Sequence, residues 1–282
     1  EAPIVYVTYG NCMDQMGRPE ASLKVYDKGI SVLPNLAMLH FNKGITLTGM
    51  GPDSAAAAMK CFERSSRLDP YHPGTQNAMA RLLAREDRNI PATMTVCRFL
   101  ILEPEGARAK ENQALLQRLL NGNVKKNANG STEIRVDASM VRDSTDTVHV
   151  ANDFRDQEVV WSVGKGLPMA NELAKLLEQS GMSGTITVEG SNTASAFKDK
   201  FDMLCGLLLE GRAKNHGFLW EYHADWMIAV KNAGHTEAVA YLAYASTDDK
   251  DVKSWIKDNG DKIGAYYDWE KDYSVGVLKE KH

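Results

Sequence analysis

The densest stretch of reactive side chains is Trp220-Glu221-Tyr222-His223-Ala224-Asp225-Trp226, with His216 shortly before it. On a helix His216, Trp220 and His223 share one face, whereas Glu221 and Asp225 share another. Imidazoles and carboxylates together suit a transition metal, but ligands must converge and these diverge. The stretch therefore reads as an aromatic core helix with charges outward, and neither a metal nor another cofactor is expected. Gly164-Lys165-Gly166 lies between a strand pattern and a helix pattern, where backbone amides could hold an anion. Without a fuller glycine pattern it reads as a plain loop. Asp137, Asp143, Asp146, Asp153 and Asp156 could do acid–base work or bind calcium, but they lack the alternation of a calcium loop and read as solvated turns. Cys12, Cys61, Cys97 and Cys205 are widely spaced, with no C-x-x-C, and are expected to be small buried hydrophobes. Nucleophile-elbow, zinc-protease, Walker A and dinucleotide glycine motifs are all missing.

Composition sets the frame for these residues. The chain has 282 residues, 43% of them hydrophobic and 25% charged, which is the profile of a globular protein. Its length suggests two domains at roughly 100–200 residues each. A net charge of −4 leaves no global footprint for nucleic acid or anionic lipid. No apolar run reaches the ~18 residues of a membrane span. Reduced thiols lean towards the cytoplasm, while a start at Glu1 fits a periplasmic or secreted chain with its leader removed.

The first half repeats. Pro34, Pro70 and Pro104 lie 36 and 34 residues apart, each closing an apolar helical pattern. Small residues recur before them at Gly10, Gly44 and Ala80, and again at Ser22, Ala58 and Ala92. Large ones recur at Tyr26, Phe62 and Val96. Alternating small and large positions at this period imply paired helices packed closely, each pair burying its apolar face only by stacking on the next. Leu115, Leu116, Leu119 and Leu120 then form a stripe at helical spacing that could cap the stack.

On Tyr6, Tyr9, Gly10, Met13, Gly17, Tyr26 and Pro34, then Phe41, Gly44, Leu47, Ala58, Phe62 and Pro70, the chain resembles a tetratricopeptide repeat (TPR) protein. A third, weaker unit follows at Met79, Ala80, Leu83, Ala92, Val96 and Pro104. The resemblance covers about residues 3–106. It implies a groove lined by the first helix of each pair, which in that family binds peptides or partner helices. By phase the groove takes Asn11 and Gln15 from the first repeat, Met38, Phe41, Asn42 and Ile45 from the second, and Asn77, Arg81 and Arg85 from the third. Asn11 and Asn42 match the asparagines of the family's carboxylate clamp. Val7, Gly74 and Ala78 stand where its basic residues would be, which argues against a chaperone tail as ligand. Arg81 and Arg85, four apart, can reach one ligand together, and guanidinium forks match carboxylates.

A polar, turn-rich segment, 123–131, reads as the linker from this repeat half, 1–122, to a second domain, 132–282. Residues 1–122 hold 14 Lys/Arg against 12 Asp/Glu, and the remainder 19 against 25. The acidic second half is thus itself a candidate ligand for the groove. Strand patterns at Thr132–Val136, Thr147–Val150, Glu158–Val163 and Gly184–Glu189 precede helical stripes. These run through Phe197–Leu208, Trp220–Val230, Glu237–Ala245 and a last helix from Val252 to Tyr267. The expected fold is mostly α: a TPR helical-hairpin stack followed by an α-rich α+β domain. The expected function is a non-enzymatic interaction scaffold, or a subunit of a larger assembly. It would bind a protein or peptide segment with an acidic end. The rival reading places an enzyme in 132–282 with the repeat as its docking arm.

Overall fold

A computed structural model describes residues 3–121, 124–126, 132–134 and 193–280. The protein is mostly helical, with its helices packed in pairs, and its contacts divide it into two units. One unit comprises residues up to Asp87 together with those from Tyr267 onward; the other runs from Arg88 to Tyr266.

The first unit contains α1 (Pro3–Gln15), α2 (Pro19–Val32), α3 (Ala37–Gly49), a short 3-10 turn (Pro52–Ser54), α4 (Ala55–Leu68) and α5 (Pro73–Arg85). Proline opens α1, α2 and α5, where its fixed φ is already helical and its missing N–H is not needed. Pro34 and Pro70 follow the last residues of α2 and α4 by two positions, because proline cannot continue a helix. α1 pairs with α2 and α3 with α4; α2 also lies on α3, and α4 on α5. The first helices neighbour one another in the order α1, α3, α5. Small residues explain how closely the pairs approach. A Cβ at Gly44 would lie 2.5 Å from the ring of Phe62, and Gly10 is crowded in the same way by Tyr26. Ser22 donates to the Gly10 carbonyl at 2.9 Å and meets Thr46 at 3.5 Å. Tyr6, Tyr26 and Leu39 form a buried cluster.

The second unit is built on α6 (Asn89–Leu102), whose residues from Ile90 to Ile101 are all buried. A helix buried on every face has no solvent side and sits at the centre of its unit. α7 (Ala107–Asn121) lies against it with Leu115, Leu116, Leu119 and Leu120 buried. Next come α8 (Ala194–Arg212), a π-helical turn (Leu219–Ala224), α9 (Asp225–Asn232), α10 (Thr236–Ala243) and α11 (Lys250–Asp258). The final helix, α12 (Gly260–Glu280), contributes its start to this unit and its remainder to the other. α10 packs on α8 and α6, and the π turn also touches α6. Phe197, Phe201, Leu204 and Leu208 of α8 are buried, as their helical spacing requires.

Several expectations are corrected. The α+β part of the fold is not supported. Among the described residues the only strands are β1 (Val124–Lys126) and β2 (Thr132–Ile134), an antiparallel ribbon. Three residues a side make no surface on which helices could layer. The other three strand patterns, and the helix pattern that follows Gly164-Lys165-Gly166, lie outside the described residues. The last helix is two helices, because the backbone leaves the helical region at Asn259, φ −122° and ψ 37°; its side-chain amide donates to the Trp255 carbonyl at 2.9 Å. Only Cys97 and Cys205 are buried; Cys61 is half-buried and Cys12 exposed.

Candidate functional site

The face of the first unit formed by α1, α3 and α5 carries the residues expected to line a groove. α3 is covered on one side by α2 and paired along another with α4. Its remaining side presents Met38 and Ile45, 39% and 40% exposed, with Phe41 and Asn42 half-buried between them. Positions 38, 41, 42 and 45 share one helical stripe, so the helix shows solvent an apolar strip with one amide in it.

Phe41 is held in place from below and beside. Its ring lies 6.2 Å from that of Phe62 and meets His72 edge-on at 4.7 Å. The His72 Nδ1 sits 2.8 Å from the Thr75 hydroxyl, and a Cβ at Gly74 would press on both His72 and Phe41. His72 was not singled out from the sequence. It precedes Pro73 at the mouth of α5 and reads there only as a turn residue.

At one end of the strip, Asn11 of α1 accepts a 2.6 Å hydrogen bond from the Tyr26 hydroxyl. Its carbonyl oxygen is thereby committed to holding α2, and its N–H donors take no part in that bond. Burial, the largest influence, raises the Tyr26 phenol's pKa, so it remains a donor. Gln15, one turn on, is exposed. At the other end, on α5, the Asn77 carbonyl accepts from Arg81 Nε at 3.0 Å. That bond aligns the guanidinium along the helix. Arg85 is exposed and lies 3.6 Å from Glu86. The expected residues thus fall on three successive neighbouring helices, with amides at one end, an apolar middle and guanidinium groups at the other.

The His216–Asp225 stretch is a different kind of place. His216 is exposed before the π turn while His223 is buried within it. Asp225 is gripped by Arg212 through two bonds of 2.5 and 3.0 Å, and Glu221 accepts the Gly217 N–H at 3.2 Å. Each carboxylate is therefore used to brace the start of the segment. The His223 ring packs against Phe218 and Tyr222, with centroids 5.5 and 5.0 Å away. Neither of its nitrogens has a hydrogen-bond partner. Burial, with the nearby positive charge of Arg98, pushes its pKa down to about 3, so it is neutral and a poor proton acceptor. Arg98, inside α6, lies over the Trp226 ring at 4.9 Å, an attraction between cation and aromatic face. Among the described residues no group of three or more histidines, cysteines or carboxylates is placed to hold a metal. Gly164-Lys165-Gly166 and the acidic run from Asp137 to Asp156 lie outside the described residues. No described helix is long and apolar enough to cross a membrane.

No family model matches the chain, and none of the curated proteins compared with it matches either.

Proposed function

We infer that this chain is a non-enzymatic interaction protein whose TPR-like hairpins bind a peptide or partner segment across α1, α3 and α5. The supporting observation is the partly exposed strip of Met38, Phe41 and Ile45, flanked by Asn11 on one neighbouring helix and Arg81 and Arg85 on the other. Supporting the TPR comparison is the fit of Gly10 against Tyr26 and of Gly44 against Phe62, the small-to-large packing on which the resemblance was based. An apolar strip between amides and guanidinium groups suits an extended or helical segment. Such a segment would have an apolar centre, a backbone that amides can hold, and an acidic end for the arginines. The Arg85–Glu86 pair, with Arg85 exposed and Glu86 half-buried, is a surface pair at 3.6 Å worth about 0–1 kcal/mol, so an incoming carboxylate can displace it.

The test is a double charge reversal, Arg81→Glu with Arg85→Glu, beside Met38→Asp. Proteins retained by the 282-residue chain are identified and quantified at low and high salt. Retention that falls with either change, and falls with salt for the arginine-dependent partner, supports the reading. A partner held equally by wild type and both variants, at every salt concentration, refutes it.

A further inference from the structure

The π turn, Leu219–Ala224, packs on α6 and α8 with a histidine sealed inside it. His223 is 0% exposed, and neither ring nitrogen has a hydrogen-bond partner. A neutral imidazole carries one donor and one acceptor, and burying both unpaired makes closure of the turn costly. A charged imidazole there would be costlier still. The rings of Phe218 and Tyr222 pack against it. From α6 comes Arg98, whose charge opposes a second positive one. From α8 come Arg212 and Cys205, and from α9 Asp225. Arg212 and Asp225 are bonded to each other. The Cys205 thiol, kept neutral by burial, donates to the Met227 carbonyl at 3.4 Å. Within the segment, Glu221 accepts the Gly217 N–H. Among the described residues, the charge that acts on the imidazole is therefore that of Arg98.

The segment also has ends at which it can part from the unit. Gly217, at its start, has φ 100°, a conformation that suits glycine. Lys214, His216 and Gly217 are all exposed, so this end can act as a pivot. At the far end α9 is fastened to α8 by contacts that lie beyond His223. Arg212 holds Asp225 at 2.5 and 3.0 Å, Cys205 holds the Met227 carbonyl, and Lys231 Nζ donates to the Asp202 carbonyl at 2.9 Å. Residues 218–224 thus run between a pivot and a clamp. Their last backbone bond, from the Asp225 N–H to the Trp220 carbonyl, spans five residues, a rare geometry found often at functional sites.

We propose that residues 218–224 form an acid-released latch: proton uptake by His223 swings the π turn out about Gly217, while α6, α8 and α9 stay packed. The proton passes from solvent to an imidazole nitrogen, and the charged ring takes its hydrogen bonds from the water that the open turn admits. Opening brings Leu219 and Trp220, 7% and 0% exposed in the closed turn, to the surface. In the open turn the ring titrates at its ordinary value of about 6.5, against about 3 in the closed one. The closed form thus binds fewer protons, and opening is favoured as pH falls from 6.5 towards 3. Between pH 7.5 and 5 the opening constant should grow about thirtyfold.

Hydrogen exchange of the 282-residue chain, followed by mass spectrometry and corrected for the intrinsic pH dependence of exchange, measures that constant. Amides of residues 218–224 should open about thirtyfold more at pH 5 than at pH 7.5, and at both pH values more readily than those of α6. His223→Phe keeps an aromatic ring in the turn and should remove the pH dependence. A second readout needs no variant. In the wild type, the ring resonances of His223 in the closed form should stay those of a neutral imidazole from pH 7.5 to 5. Protection of 218–224 that falls only together with that of α6, by the same factor, would mean that the whole unit unfolds and would overturn the latch. Unchanged protection at the two pH values would do the same. So would a His223 ring that titrates near pH 6.5 while the turn remains protected.

Discussion

Gly44→Ala tests the close approach of α3 and α4, because propensity and packing pull in opposite directions there. In a helix interior, alanine is favoured over glycine by about 1 kcal/mol. At Gly44 the added Cβ would meet three ring atoms of Phe62 at 2.5, 2.8 and 3.0 Å, the nearest of them about 1 Å inside normal carbon–carbon contact. Phe62 is fully buried and backed by Phe41 at 6.2 Å, so the ring cannot simply swing aside. Overpacking of this kind costs about 1–3 kcal/mol, and a net loss of roughly 0–2 kcal/mol remains after the propensity gain. Gly49→Ala, in the same helix, is the control. Nothing lies within 4 Å of its added Cβ, so only the favourable part applies, reduced because Gly49 is the last residue of α3. Urea and thermal unfolding followed by far-ultraviolet circular dichroism would report both. A destabilisation of 1 kcal/mol lowers the midpoint of a unit this size by roughly 4–8 °C. Repeating Gly44→Ala in a Phe62→Leu background should recover part of the loss, since the clashing ring edge is gone. If Gly44→Ala is as stable as Gly49→Ala, the glycine is not there to admit the aromatic ring, and the packing argument fails.

Two further outcomes follow from the burial of ionisable groups. His223, held near a pKa of 3 by burial and by Arg98, takes up a proton in the unfolded chain at its ordinary value of about 6.5. Between these limits the unfolded state binds the extra proton, so stability falls as pH drops, by at most about 1.4 kcal/mol per pH unit from this group. His223→Phe should flatten unfolding stability between pH 6.5 and 4; an unchanged slope would mean that the histidine is not buried as described. For the thiols, iodoacetamide under native conditions should modify Cys12 first and Cys61 more slowly, and spare Cys97 and Cys205 until the chain unfolds. Burial raises the pKa of both inner thiols, that of Cys205 to about 12. Mass spectrometry showing early modification of Cys97 would contradict the placement of α6 at the centre of its unit.

The hairpins of the first unit were legible in the sequence because their determinants are local and periodic. Proline or glycine marks the ends of α1 to α4, and a glycine facing an aromatic one helix later recurs in both hairpins, 16 residues apart in the first and 18 in the second. The candidate strip was legible for the same reason: Met38, Phe41, Asn42 and Ile45 share a face by helical geometry alone, wherever α3 is placed. What packs on what was not legible. Asn89–Leu102 has the spacing of a third repeat's second helix, yet its buried neighbours include α10 and the π turn, more than a hundred residues onward. Periodicity records which face is apolar and carries no label for the partner. The histidine-rich segment shows the limit most clearly. Regular helical spacing puts His216 and His223 on one face, but the chain is not helical at His216, which lies in the turn after α8 just before Gly217 at φ 100°. With the π turn in place His223 is sealed between aromatic rings and beside Arg98, while His216 stays in solvent. The residue types were given in the sequence; the dielectric around His223, and hence its charge, came only from the tertiary packing that excluded water from it.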